Sequence, residues 1–135
     1  LHFWRSMPQS HLQSYKMATI ISILPAKVDY ELWQGDTWEP GTITATISSV
    51  PVNFTGYTAK MEIRNAISNS VALTLEVGSG ITLSTVGVIT IVMTAVQTAA
   101  LIGDYNYDLQ ITDTSSKKRT YTYGTIGVTA DTTDN

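Results

Sequence analysis

The sequence predicts an all-β fold, an antiparallel β-sandwich of about seven to eight strands with one short helical turn. Short runs of alternating apolar and polar residues recur about every ten residues, and Gly, Asn, Ser or Pro separates them. Threonine makes up about one residue in six, and its branched side chain suits a half-buried strand better than a helix. The chain of 135 residues is 43% hydrophobic and 14% charged, which allows one real core.

Eight alternating runs account for most of the chain after residue 27. In the second, third and seventh runs the odd-numbered residues are apolar and the even-numbered ones are mostly polar, so each strand has one buried face. The predicted strands are Val28–Gln34, Gly41–Ser48, Tyr57–Arg64, Val71–Val77, Gly80–Ser84, Gly87–Met93, Asp104–Thr112 and Arg119–Val128.

The segment Thr94–Leu101 breaks the alternation and predicts the helical turn. Thr94 suits the N-cap, the alanines favour helix, and Gly103 ends it. A helical turn followed by Tyr105 and Tyr107 is typical of the approach to a late strand in immunoglobulin-like sandwiches, where a Tyr hydroxyl bonds back to the corner backbone. We therefore expect Tyr105 or Tyr107 to make such a bond.

The chain divides into residues 1–27 as an N-terminal arm, residues 28–128 as the β-sandwich domain and residues 129–135 as a C-terminal tail. The segment Leu1–Lys16 contains both histidines and no acid, whereas Met17 opens a run that is typical of a translation start. We expect Leu1–Lys16 to be vector-derived or translated from a non-Met start codon. A secretory signal is the weaker alternative, because Pro25 ends a short apolar run.

Composition excludes several classes of partner. There is no cysteine, so no disulfide or thiolate metal site can form. Eight basic residues and a pI near 5.1 disfavour nucleic-acid binding, and Lys117-Lys118-Arg119 is interpreted as a solvated hairpin tip. The uncharged stretch from Val77 to Gly103 is long enough to cross a bilayer, but its glycines and its alternation indicate strands, so we expect no membrane partner.

The sequence predicts no enzyme, cofactor or metal site. It lacks a G-x-S-x-G motif, and His2 and His11 lie in the arm. Two pairs of acids could in principle act together in catalysis, Asp29/Glu31 and Asp104/Asp108. The set Asp104, Asn106 and Asp108 could in principle bind Ca²⁺. The solvent-exposed face of a half-buried strand explains both arrangements. Alternation therefore accounts for these acids without a reaction.

The most unusual local feature is the sequence LWQGDTWEP at Leu32–Pro40, in which two indoles flank a turn. In one interpretation Trp33 and Trp38 cap the sandwich, with at least one of them in the core. In the other, an exposed aromatic patch binds a protein partner or stacks on sugars. The candidate partner-binding residues here are Trp33, Gln34, Asp36 and Trp38.

The order of several motifs resembles a family of small immunoglobulin-like domains of tailed-phage structural proteins. These motifs are QGDTW, FTGYTAKMEIR (Phe54–Arg64), GITL (Gly80–Leu83), the strand Gly87–Met93, TAVQTAAL and GDYNYDLQIT (Gly103–Thr112). The resemblance covers about Asp29–Val128. Over these residues the order of motifs is similar in plan to the N-terminal domain of phage baseplate upper proteins. The extension Leu1–Lys16 departs from the family pattern.

The resemblance implies a non-enzymatic virion protein, assembled in the host cytoplasm, that serves as an assembly or adaptor module at the tail, baseplate or fibre attachment. Its expected partners are other virion proteins and copies of itself. Phe3, Trp4 and Tyr15 in the arm are candidates to bind a neighbour's groove or sheet edge. Two alternatives stay open, a capsid decoration protein and a carbohydrate-binding module whose platform would use Trp33, Trp38, Tyr105, Tyr107, Tyr121 and Tyr123.

Overall fold

The computed structural model describes residues 18–21 and 25–131. The candidate arm residues Phe3, Trp4 and Tyr15 lie outside the described residues. The described chain is all-β with one short helix, as the sequence predicts. The strands are β1 (Ala18–Ile21), β2 (Ala26–Lys27), β3 (Tyr30–Trp33), β4 (Thr42–Ile47), β5 (Val50–Pro51), β6 (Thr58–Asn65), β7 (Val71–Val77), β8 (Gly80–Leu83), β9 (Val88–Ile91), β10 (Gly103–Thr112) and β11 (Lys118–Thr129), and the helix is α1 (Ala95–Ala99).

The strands form one continuous sheet in the order β1-β4-β9-β8-β7-β6-β10-β11-β2, with β3 also paired to β11 and β5 to β4. Its centre is antiparallel: β10 pairs with β6 on one side and with β11 on the other. Tyr107 lies opposite Ile63 and Gly124 in these two ladders, so the long strands share one register. A register shift interrupts the β10–β11 ladder between Leu109 and Gln110, and another interrupts the β6–β7 ladder between Ile63 and Arg64.

The sheet is mixed, which corrects the prediction of a wholly antiparallel fold. The pairs β1–β4, β7–β8, β11–β2 and β11–β3 are parallel. Alternation of apolar and polar residues decides which face of a strand is buried, and this pattern is the same for a parallel and an antiparallel neighbour. Strand number also exceeds the prediction, because β1, β2 and β5 contain only two to four residues.

The sheet curls strongly, because only a short segment of chain connects the strands at its two edges. Strand β1 pairs with β4 and strand β2 pairs with β11, at opposite ends of the pairing order. Ile21 and Ala26 are five residues apart, and an extended chain of that length spans roughly 18 Å at most. The two edges therefore lie within that distance of each other, around a shared core. Strands β1 and β2 both lie on the arm side of the predicted boundary at residue 28.

The core lies inside this curl and comes from the predicted faces. The residues with no measurable exposure include Met61, Ile63, Leu75, Ile89, Leu109 and Ile126. Along β6 and β10 the odd-numbered residues Ala59–Ile63 and Tyr105–Ile111 are buried, while their even-numbered neighbours are half-buried or exposed. Burial of such side chains contributes roughly 1.5–3 kcal/mol each to folding.

Two glycines allow backbones to approach closely. A Cβ at Gly124 would collide with the carbonyl oxygen of Val28 and lie 2.6 Å from Asp29 Oδ1. At this point the segment that joins β2 to β3 packs closely against β11. Gly87 has φ near +80°, and a Cβ there would lie 2.5 Å from the Ala45 carbonyl oxygen. A side chain at either position would push the short strands away from the main sheet.

Candidate docking surface

The four predicted site residues of the described chain lie at one end of the sheet: Trp33 ends β3, and Gln34, Asp36 and Trp38 follow it before β4 begins. Strand β3 runs along β11 with Trp33 opposite Thr129, so the turn that follows lies beyond the last paired residues. This turn contacts α1 and the segment that leads into β10. We call this region the Trp33 end; it consists of residues 31–39, α1, Ile102 and Asp104.

Trp38 belongs to the core. Its side chain is only 7% exposed, its ring meets Tyr30 edge-on at 5.0 Å, and its backbone exchanges two 2.9 Å hydrogen bonds with Met93. Trp33, in contrast, is 53% exposed. One indole therefore packs in the core and the other keeps surface for a partner, since a buried ring offers little contact area.

Gln34 and Asp36 fix the turn to the helix. The Gln34 side-chain amide donates to the carbonyl oxygens of Ala99 and Leu101 at 3.2 and 3.1 Å. The carbonyl oxygen of Asp36 accepts a 2.7 Å bond from the hydroxyl of Thr98, which also accepts from the N–H of Gly35. Thr98 is fully buried. These bonds satisfy backbone groups that would otherwise be unpaired, and so hold the turn rigid.

Helix α1 has a complete capping box, which explains why five residues hold a helical turn. The Thr94 hydroxyl accepts from the N–H of Gln97, and the Gln97 side chain accepts from the N–H of Thr94. The helix directs Val96 outwards, at 83% exposure, and Ile102 follows it at 50%. With Trp33, these residues give the Trp33 end three exposed apolar side chains on a bonded framework.

The expected tyrosine bond forms at this corner. The hydroxyl of Tyr105 accepts a 3.0 Å hydrogen bond from the N–H of Ile102, three residues upstream. Tyr107 makes a longer-range bond, because its hydroxyl donates to the carbonyl oxygen of Val28 at 2.6 Å. Burial raises the pKa of Tyr107 well above its ordinary value, and the nearby Tyr30 adds to that rise.

Strand β3 leaves one backbone edge without a strand partner. Within the described residues it pairs only with β11, by Tyr30–Trp33 against Ile126–Thr129. The edge is short, and the exposed side chain of Glu31 lies on it. Short edges with a charged residue resist uncontrolled pairing, yet remain able to accept a strand from a partner.

The opposite end of the sheet has a small cleft with basic residues around it. We call it the Lys117 end; it consists of the β4–β5 hairpin, Val86 and the turn from β10 to β11. A cavity of about 240 Å³ opens here, with Tyr57 and Tyr121 among its lining residues and Lys117 and Arg119 beside them. Ile47, Val50 and Val86 at this end are 53–64% exposed.

The hairpin turn at the Lys117 end is fixed by Asp113. Its carboxylate accepts bonds from the backbone N–H groups of Ser115 and Lys117 at 2.8 and 3.0 Å. The N–H of Lys117 is the main cause that holds the pKa of the Asp113 carboxyl below its ordinary value. The basic run therefore lies at a hairpin tip, as the sequence predicts.

The predicted acidic pairs are placed by the strands. Asp29 accepts from the Lys27 ammonium at 2.8 Å and from the Thr125 N–H at 2.9 Å. The bond from Lys27 and then that from Thr125 hold the pKa of the Asp29 carboxyl below its ordinary value. Asp104 and Asp108 are four positions apart on β10, which corresponds to about 13 Å along a strand.

Other surfaces carry no concentrated chemistry. A shallow groove of about 370 Å³ on the outer face lies among Thr58, Lys60, Glu76, Val77 and Gln110. Among the described residues, no group of three or more His, Cys, Asp or Glu side chains is placed to hold a metal ion. Within the same ranges, no helix combines the length and the apolar character that a membrane crossing requires.

No protein-family model matches the chain, and no curated protein matches it. The structure is similar to the N-terminal domain of phage TP901-1 ORF48, with a TM-score of 0.52 and 14% identity, over 84% of this chain and 98% of that one. A solved structure of Drosophila OTK, extracellular domains 3–5, matches at a TM-score of 0.36 and 12% identity, over 81% of this chain and 35% of that one, too weakly to support an argument. The first likeness is one of fold, and it extends over nearly the whole of that phage domain.

Proposed function

We propose that this chain is a non-enzymatic structural domain of a tailed-phage particle, an assembly or adaptor module at the tail, baseplate or fibre attachment. The observation that carries the proposal is the likeness of fold to a domain of a phage protein, over 98% of that domain. It agrees with the motif order QGDTW to GDYNYDLQIT, which resembles immunoglobulin-like phage domains of the same kind. An immunoglobulin-like arrangement is part of this proposal, and the Tyr105 corner bond supports it.

The Trp33 end supports a docking role. Trp33, Val96 and Ile102 are exposed, yet the turn and helix that carry them are held together by partly buried hydrogen bonds. A framework that is already rigid loses little conformational entropy when it binds a partner. Exposed aromatic side chains at the centre of such a surface commonly contribute most of the binding energy.

The placement of the acids supports a role without catalysis. Glycoside hydrolysis by two carboxyl groups requires a separation of about 5–9.5 Å, less than the spacing of Asp104 and Asp108 along β10. Asp29 is already engaged by Lys27 and Thr125. These acids therefore act more simply as surface and turn-fixing groups.

Sugar binding is the weaker alternative. Of the six aromatic residues that a stacking platform would use, only Trp33 and Tyr123 are exposed. Trp33 lies opposite Thr129, six positions from Tyr123 along β11, which corresponds to about 20 Å. Two rings this far apart cannot stack on adjacent sugar units.

Immuno-electron microscopy tests the proposal. Antibodies raised against the purified chain would be applied to phage particles released by the cells that carry the gene. We expect gold label on the particles, concentrated at the tail end. Label over the head would instead favour capsid decoration, and particles without label, together with a soluble pool of the protein, would contradict a virion role.

A further inference from the structure

The charges of this chain are separated along the strand direction. At the Trp33 end, Glu31 and Asp104 lie in register on either side of Gly127, and Asp36 and Glu39 are exposed in the turn. At the Lys117 end, Lys117, Lys118 and Arg119 lie together, with Asp113 as the nearby acid. The ion pairs Lys27–Asp29 and Arg64–Glu62 involve none of these acids and cations, and at the Lys117 end Asp113 offsets part of the positive charge of Lys117 and Arg119.

The two ends also match in shape and polarity. The Trp33 end projects a half-exposed indole next to Val96 and Ile102. The Lys117 end offers a cavity of about 240 Å³ that is lined in part by two tyrosines, two cationic side chains and one acid, Asp113. An indole can contact the half-buried ring of Tyr57 and the exposed side chain of Ile47, and it can attract a guanidinium or ammonium group to its face. The cations in turn attract the acids of the Trp33 end.

We propose that copies of this chain associate head to tail, with the Trp33 end of one copy seated on the Lys117 end of the next. Trp33 enters the cleft beside Tyr57 and Tyr121, and Lys117 and Arg119 face the acidic turn that contains Asp36 and Glu39. The two surfaces differ and lie at opposite ends of the strands. Such a contact therefore repeats from copy to copy, and it builds a ring or a linear file rather than a symmetric pair.

The inference rests on the proposed structural function and deepens it by naming one partner, a second copy, and the surface it uses. Charge attraction across the contact predicts a dependence on salt, because the screening length falls from about 10 Å at 0.1 M to about 3 Å at 1 M. Repetition of one weak contact in a closed ring gives a stable assembly without a large interface.

Sedimentation velocity on the full chain tests this contact with two variants that each block one end. Trp33→Ala/Glu39→Gln removes the indole and neutralises one acid, while Lys117→Glu/Arg119→Glu reverses the cations beside the cleft. We expect the unaltered chain to sediment faster as its concentration rises, and each variant alone to associate at least tenfold more weakly. An equimolar mixture of the two has one intact contact, and it should form dimers but no larger species.

Val71→Ala serves as the matched control, since it removes an exposed apolar side chain on β7, which is outside both defined surfaces and four pairing steps from β3. It should leave association unchanged. An unaltered chain that stays monomeric up to about 1 mM, or a mixture that forms no dimer, would overturn the head-to-tail contact. If the chain is monomeric but antibodies against it still label phage particles, this inference is wrong and the proposed function still holds.

Discussion

The hydroxyl of Thr98 donates to the carbonyl oxygen of Asp36 at 2.7 Å and joins helix α1 to a turn that lies 62 positions earlier in the chain. Thr98 is fully buried, so its hydroxyl has to find its hydrogen-bond partners within the protein. The same hydroxyl accepts from Gly35, and the pair of bonds fixes the segment that follows Trp33. The Trp33 end is thus ordered by one buried side chain of the helix.

Replacement of this side chain tests its role. Thr98→Val keeps the shape but removes the bonds of the hydroxyl with Asp36, Gly35 and Ala95, so the turn and the helix lose the side chain that joins them. We expect a loss of about 1–3 kcal/mol in the free energy of unfolding, measured by urea titration. The matched control is Thr122→Val, because Thr122 is equally buried and its hydroxyl makes no hydrogen bond within the described residues. That change should be neutral or stabilising, and equal losses from both variants would contradict the account.

Gly124 tests the close approach of the β2–β3 segment to β11. Gly124→Ala places a Cβ against the Val28 carbonyl and the Asp29 carboxylate, so the edge segment must move. Overpacking of this kind typically costs about 1–3 kcal/mol, which a shift of the urea midpoint would report. Gly127→Ala is the control, because its nearest neighbours would lie at 3.8 Å or more. Similar urea midpoints for the two variants would argue against a close approach of the β2–β3 segment to Gly124.

The corner bond of Tyr105 can be removed with little change in packing. Tyr105→Phe deletes the acceptor for the N–H of Ile102. We expect a loss of about 1 kcal/mol in the free energy of unfolding. Tyr123→Phe removes a hydroxyl from a ring that is 41% exposed, and it should change stability by less than about 0.5 kcal/mol. A Tyr105→Phe variant as stable as the Tyr123→Phe variant would show that the bond contributes nothing.

The lowered pKa of Asp29 predicts that the free energy of unfolding depends on pH in the acid range. Its folded-state pKa is held below the ordinary value of 3.8, first by the bond from Lys27 and then by that from Thr125. A lowered pKa contributes stability above the unfolded value, and this is lost as the pH falls through the folded value. Asp29→Asn should therefore narrow the difference in unfolding free energy between pH 7 and pH 3. An Asp29→Asn variant that keeps the full difference of the unaltered chain would contradict the assignment.

Strand positions could be predicted because one buried face imposes a period of two. The run Val71–Val77 matches β7 residue for residue, and the other long runs agree within one or two positions. Strand direction could not be predicted, because alternation does not distinguish the parallel pairing of β3 with β11 from an antiparallel one. The short strands β2 and β5 contain two residues each, too few to show a period.

The candidate site was predicted in part for a similar reason. The sequence places Trp33 and Trp38 around one turn, but which indole faces the core depends on contacts with Tyr30 and Met93, which come from other parts of the chain. The cleft of the Lys117 end was not predicted at all. Its tyrosines, Tyr57 and Tyr121, are 64 positions apart, and only the fold brings them beside Arg119. The basic run at a hairpin tip was the available signal.

Incorporation of variants into phage particles tests the central claim, that the Trp33 end docks this domain into a virion. Particles would be produced from genes that encode the unaltered chain, Trp33→Ala or Val71→Ala, after thermal unfolding has shown that each purified protein folds. The amount of the protein in purified particles would be measured by immunoblot. We predict at least a tenfold loss for Trp33→Ala and no loss for Val71→Ala, since both side chains are exposed and only the first lies at the docking end. Equal incorporation of all three chains would contradict the claim.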